Sequence, residues 1–444
     1  MKYVKLFETH EEYEDYAESG MILPNVSHCV QEDDIHYNPW TWADEYLTFV
    51  ARENGTFTFT PYSTNAISYS TDNGKTWTQE NSVNVNNGDR ILWKGTMTPS
   101  SNGIGEFGAT GNFDVQGNIM SLLYGDNYKG QTDLTGKNNT FKELFSLNKK
   151  VINAENLSLP ATTLASDCYR NMFGGCTNLT TVPKLPATTL KSGCYQNMFS
   201  SCTNITSAPA LPATTLTSQC YAYMFFGCTS LVTAPELPAT TLAKSCYVQM
   251  FKGCTSLTTT PTLPATTLAT YCYDYMFEEC TNLTTAPILP ATTLVGYCYR
   301  GMFKGCTSLT TAPELPATTL ATYCYSAMFN GCTSLTTTPS VLPATTLATY
   351  CYSTMFFRCT SLTTAPILPA TTLVSNCYNY IFQGCTSLNY IKAMFTTTPS
   401  NSYTGQWVQN VASSGIFVKN SAAQWDVSGV NGIPTGWTVQ TASA

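Results

Sequence analysis

Nineteen cysteines and three histidines are the residues of this 444-residue chain whose types suit metal binding, disulfide formation or nucleophilic attack. Their spacing argues against all three. Eighteen cysteines form two sets: Cys168, Cys194, Cys220, Cys246, Cys272, Cys298, Cys324, Cys351 and Cys377, and Cys176, Cys202, Cys228, Cys254, Cys280, Cys306, Cys332, Cys359 and Cys385. Each member of the second set follows one of the first by eight residues, and no Cys-x-x-Cys occurs. The histidines, His10, His28 and His36, lie far upstream of every pair, so zinc-type spacing and a Cys–His signature are both missing. Eight residues of helix rise about 12 Å, beyond the roughly 7 Å Cα limit for a disulfide. The expectation is two columns of free thiols, buried as small apolar groups. Glu278 and Glu279 are adjacent, so their carboxylates diverge where an acid–base pair would converge. Neither Gly-x-Ser-x-Gly nor a glycine-rich phosphate loop is found. The reading is therefore a binding protein: no enzyme activity, no cofactor and no metal.

Composition narrows the partners. The formal net charge is −7, only 11% of residues are charged, and no basic cluster occurs, which speaks against nucleic acid. No apolar run is long enough to cross a membrane. Met1–Phe7 is too short an apolar run for a signal peptide.

The elements that position the cysteines recur every 26 residues, with one step of 27 at Ser340-Val341. A fixed period of this size predicts a solenoid, in which each unit buries its apolar face against its neighbours. In the unit that opens at Leu159-Pro160, Ala161–Leu164 is short and β-branched and suits an extended segment. Cys168, Tyr169, Met172, Phe173 and Cys176 follow at i, i+1, i+4, i+5 and i+8, which predicts one face of a short helix. Leu179–Val182 reads as a second short strand ended by Pro183.

The core-facing positions barely change between copies. The residue before the first cysteine, and those three and six after it, vary freely and carry aromatics. Tyr271, Tyr297, Tyr323 and Tyr350 occupy the first of these in four successive copies; Tyr223, Tyr275 and Tyr380 occupy the second. These seven form the candidate ligand face, since tyrosines suit sugars and protein partners. The alternative is a solvent face that drifts unconstrained. A threonine-rich strand face (Thr180-Thr181, Thr258-Thr259, Thr284-Thr285) competes, but its uniformity looks structural.

The pattern C-Y-x-x-M-F-x-x-C-T-x-L-T-T-x-P-x-L-P-A-T-T-L resembles BspA-like leucine-rich repeats, abundant in proteins of gut Bacteroidetes and their phages. The resemblance covers about half the chain in nine copies. It implies an α/β solenoid and a surface protein or adhesin. The N-terminal run KLFETHEEYEDY…LPNVSHCVQEDDIHYNP resembles a module that precedes varied domains in Bacteroidetes phage and prophage structural proteins, which implies an attachment or assembly segment.

Taken in order, residues 1–38 read as a small α/β attachment module: a strand at Tyr3–Phe7, a helix capped at Thr9 and a hairpin turning at Glu32-Asp33. Residues 46–124 alternate apolar and polar between Asn-Gly turns, as an all-β sandwich does. Within them Ser70–Trp77 matches the Asp-box pattern S-x-D-x-G-x-x-W, a hairpin-shaping device. Residues 125–160 read as linker and N-terminal cap repeat, 159–388 as nine repeats, and 389–444 as the C-terminal cap. The function expected is a phage virion surface protein whose array binds a host-surface glycan or protein, with the N-terminal module docking to other virion proteins. A bacterial cell-surface adhesin and a purely structural virion component are the alternatives.

Overall fold

The computed structural model describes residues 44–62 and 66–442, and the backbone of three strands before them. Those strands are β1 (Val4–Phe7), β2 (Ser27–Val30) and β3 (Ile35–Tyr37). β1 pairs parallel with β2, and β2 antiparallel with β3. The helix expected from Thr9 and the turn at Glu32-Asp33 lie outside the described residues.

From Asp44 the chain builds two facing sheets. β4 (Leu47–Ala51), β6 (Ile67–Ser70), β8 (Arg90–Gly95) and β10 (Phe113–Asn118) form one; β5 (Gly55–Pro61), β7 (Ser82–Val85) and β9 (Gly105–Ala109) form the other. Inward residues of the alternating pattern meet between them, with Phe49 packed on Phe57, Phe107 and Phe113. The Asp-box turn has the geometry its residues demand. Asn73 and Gly74 take positive φ, and the Ser70 hydroxyl accepts from the Gly74 amide. The Asp72 carboxylate accepts from the Thr76 amide and hydroxyl, and Trp77 packs edge-on against Tyr46.

The sandwich sheet runs on into the repeats. β11 (Val151–Asn153) pairs parallel with β10, as does β12 (Leu157–Ser158). Parallel bridges continue the line: Asn153 with Thr181 where the repeats begin, then, one period apart, Ser207 with Thr233, Thr233 with Thr259, and Thr311 with Thr337. Thr364 then bridges Tyr390, where β13 (Tyr390–Ala393), β14 (Ile416–Lys419) and β15 (Thr438–Thr441) close the chain as a parallel sheet.

The short helix expected at each Cys-Tyr-x-x-Met-Phe-x-x-Cys does not form. That segment is a run of consecutive tight turns, and it corrects the α component of the expected α/β unit. The Met172 amide donates to the Tyr169 carbonyl and the Cys176 amide to the Phe173 carbonyl, closing turns three residues long. The alternate amides leave the segment altogether: Tyr169 donates to Cys194 and Phe173 to Met198, each in the next repeat. An α-helix directs its amides to its own carbonyls and leaves none for a neighbour. Here half of them stitch adjacent repeats together, so the buried backbone is satisfied without a helix.

The geometry needs a left-handed residue at every fourth position. Asp167, Asn171 and Gly175 hold φ of 53°, 54° and 76°, and the same three places recur through Asn376, Tyr380 and Gly384. The flanking segments copy the pattern. Phe141 and Phe145 donate to Cys168 and Met172 from the N-terminal side, and Tyr378 and Phe382 donate to Tyr403 and Trp407 at the C-terminal side.

Stacking makes continuous columns of the fixed residues. Tyrosines Tyr169 to Tyr378 stack with neighbouring ring centroids 5.7–5.9 Å apart. The phenylalanines Phe173 to Phe382 do the same at 5.6–5.9 Å. All eighteen repeat cysteines are free and buried. In every repeat the second thiol donates to the carbonyl of the phenylalanine one repeat earlier, at 2.9–3.1 Å. A cysteine therefore fits here better than an alanine or serine: it fills an apolar site and still supplies one weak donor.

Candidate ligand-binding face

Two of the three variable positions, the residue before the first cysteine and the one three after it, are left-handed. Tyr271, Tyr297, Tyr323 and Tyr350 hold φ of 61°, 62°, 59° and 57°; Tyr223, Tyr275 and Tyr380 hold 58°, 54° and 60°. All seven are half-buried. Left-handed backbone costs an L-residue roughly 1–2 kcal/mol, and a bulky side chain there is unusual. Glycine takes the same places in other copies, at Gly193 and Gly301. The turn geometry thus leaves these side chains pointing off the array while the cysteine, tyrosine, methionine and phenylalanine between them point in.

Four of the seven come together. Tyr271, Tyr297, Tyr323 and Tyr350 stack in a ladder with centroid spacings of 4.6, 4.9 and 4.4 Å. Burial and the adjacent Tyr350 and Tyr297 phenols push the Tyr323 hydroxyl above the usual tyrosine range. The ring faces are therefore spent on one another, and the ladder offers an outside molecule its ring edges and hydroxyls. Tyr275 lies across Gly301, where an added Cβ would fall 2.2 Å from its ring. Tyr223 sits beside Phe226, with centroids 6.4 Å apart. Tyr380 joins no ring pair among the described residues.

One end of the ladder carries a charged cluster. Arg300 donates from Nε and Nη2 to both Asp274 oxygens, at 2.8 Å each. Its guanidinium lies 5.7, 5.0 and 4.8 Å from the Tyr271, Tyr275 and Tyr297 ring centres. Glu278 accepts from Lys252 and Lys304, both at 2.8 Å. Asp274 and Glu278 are each buried, and burial pushes the Asp274 carboxyl up against the pull of Arg300. Reasoning from sequence reaches Lys252, Glu278 and Lys304 only through the freely varying position six residues after the first cysteine, and weighs Glu278 against Glu279 alone. The signal it missed is the offset: Lys252 to Glu278, Asp274 to Arg300 and Glu278 to Lys304 are each one period of 26 residues.

Among the described residues no group of three His, Cys, Asp or Glu side chains is placed to hold a metal ion. Nor is any helix there long and apolar enough to cross a membrane.

A family model described as "BspA type Leucine rich repeat region (6 copies)" matches residues 138–283, 197–336 and 302–412, together more than half of the chain. The chain belongs to the BspA-type leucine-rich repeat family. The turn run and the threonine bridges described above are thus those of a BspA-type array. Among solved structures, a leucine-rich repeat protein from Bacteroides ovatus matches with 17% identity, 75% of this chain and 96% of that chain covered, and a TM-score of 0.30. No curated protein matches this BspA-type chain.

Proposed function

We propose that this protein is a non-enzymatic, surface-displayed binding protein, that its BspA-type array forms a solenoid, and that the tyrosine face of repeats five to eight contacts the partner. BspA-type repeats suggest a surface or adhesion-type protein. The observation that carries the assignment of the face is the run of four tyrosines at left-handed positions. The fold accepts small residues at such positions, as at Gly193, Ser245 and Ala327. Tyrosine costs backbone strain at each, and the ring edges and hydroxyls it presents suit a host-surface glycan or protein.

The protein would sit on a phage particle or on a bacterial cell. Resemblance of the N-terminal segment to phage structural modules favours the particle, with that module docking to other virion proteins. The family's association with surface proteins fits the cell equally well.

Antibodies against repeats four to seven, applied to intact particles and intact cells from the source culture, separate the two. Labelling of particles supports the virion reading, and labelling of cells alone supports the adhesin. In a host-cell binding assay, replacing Tyr271, Tyr297, Tyr323 and Tyr350 together by serine is expected to abolish binding while the array stays folded. Undiminished binding by that variant would overturn the assignment of the face.

A further inference from the structure

The same ladder has a chemical property that binding does not use. We propose that Tyr323 and Tyr350 are an oxidative cross-linking pair, coupled by a one-electron oxidant into a dityrosine that joins consecutive repeats covalently. The two rings lie 4.4 Å apart and 6° from parallel, the closest and most parallel pair in the ladder. Both are half-buried, so an oxidant in solvent reaches them. The interior tyrosine column differs on both counts: its rings are at least 5.7 Å apart and no more than 1% exposed.

The charges select the pair within the ladder. The Arg300 guanidinium lies 5.7 and 4.8 Å from the Tyr271 and Tyr297 ring centres, where a cation opposes removal of an electron. Among the described residues, the ring contacts of Arg300 are those with Tyr271, Tyr275 and Tyr297, and Tyr323 and Tyr350 lie beyond them. The charge of Arg300 still acts on the Tyr323 phenol, but its ring contacts end at Tyr297, so of the stacked pairs Tyr323–Tyr350 meets the weakest cationic opposition to losing an electron.

The chemistry balances. Each phenol gives up one electron and its hydroxyl proton, leaving two phenoxyl radicals. A carbon–carbon bond forms between the ring carbons ortho to the two oxygens. The hydrogen on each of those carbons then moves to its own oxygen and restores both phenols. Two electrons and two protons have left, which is what one hydrogen peroxide takes up through a peroxidase to give two waters. Because the partners lie 27 residues apart in adjacent repeats, the product is an intramolecular staple.

Peroxidase with limiting hydrogen peroxide, applied to the full folded chain, tests this. Dityrosine fluorescence should appear in the monomer band, and tandem mass spectrometry of a digest should place the link between the Tyr323 and Tyr350 peptides. Tyr350→Phe should remove at least nine-tenths of that fluorescence. Tyr271→Phe, at the Arg300 end, should keep it, and this variant also shows that a lost hydroxyl in the ladder does not by itself abolish the signal. Links spread evenly over the tyrosines, links mainly between chains, or full fluorescence in Tyr350→Phe would each overturn the proposal.

Discussion

Asp274 and Arg300 hold one another by two bonds across the boundary between two repeats, with the carboxylate side chain 5% exposed and the guanidinium 28%. The position two after the first cysteine, which both occupy, holds Gln196, Ala222 and Val248 in other copies, so the backbone does not require the pair. Removing one partner leaves the other in low dielectric without compensation. Arg300→Ala is expected to destabilise the array by about 1–3 kcal/mol, because Asp274 is then buried and unpaired. The double variant Asp274→Leu/Arg300→Met should recover most of the loss. Chemical denaturation of the three proteins checks this; equal losses in single and double variants would mean that the pair itself, not the stranded carboxylate, sets the cost.

The thiols make stability depend on alkaline pH. Burial pushes the Cys202, Cys254 and Cys332 thiols up from 9.0 to about 12. The folded pKa lies above the unfolded one, so the contribution is complete below the unfolded value and is lost as pH rises toward 12. Above pH 9 the unfolded chain releases protons that the folded chain keeps, at about 1.4 kcal/mol per thiol per pH unit. The Tm should stay level between pH 6 and about 8.5 and then fall steeply, the unfolded thiol titrating near 8.5–9. A thiol reagent at neutral pH should modify none of the eighteen repeat cysteines until denaturant is added. Reaction of several of them in the folded protein would contradict their burial.

Phe251 is fully buried in mid-array, with rings 5.6 Å away on both sides at Phe225 and Phe277. Its carbonyl also receives the Cys280 thiol. Phe251→Ala should cost about 3–5 kcal/mol. Coupling in a stack of repeats passes only through neighbours, so the array should then melt in two steps. One transition at an unchanged midpoint, followed by circular dichroism, would argue against this packing.

Thr354 is β-branched and holds φ at 57°, in a place where Gly301 stands two repeats earlier. Relief of left-handed strain, roughly 1–2 kcal/mol, exceeds the roughly 0.5–1 kcal/mol entropic penalty of glycine. Thr354→Gly should therefore raise stability slightly, whereas Gly301→Ala should lower it by driving a Cβ into the Tyr275 ring. Paired denaturation curves decide the signs.

The 26-residue period, the identity of the buried residues and the free state of the repeat thiols were all legible in the chain, because one-dimensional stacking repeats the same burial in every copy. So was the approximate face of the variable residues. The turn conformation was not. Residues at i, i+4 and i+8 fit a helix over so short a run, although eight residues of a true 3.6-residue helix drift by about 80°, and Cys168 and Cys176 are both fully buried. Tertiary structure decides the matter, because the amides that a helix would use internally are taken by the next repeat. It alone also makes two of the variable positions left-handed, brings four tyrosines from separate repeats into one ladder, and sets Arg300 against the rings of Tyr271, Tyr275 and Tyr297. Those contacts depend on residues one period apart being adjacent in space, a relation that spacing suggests but only packing supplies.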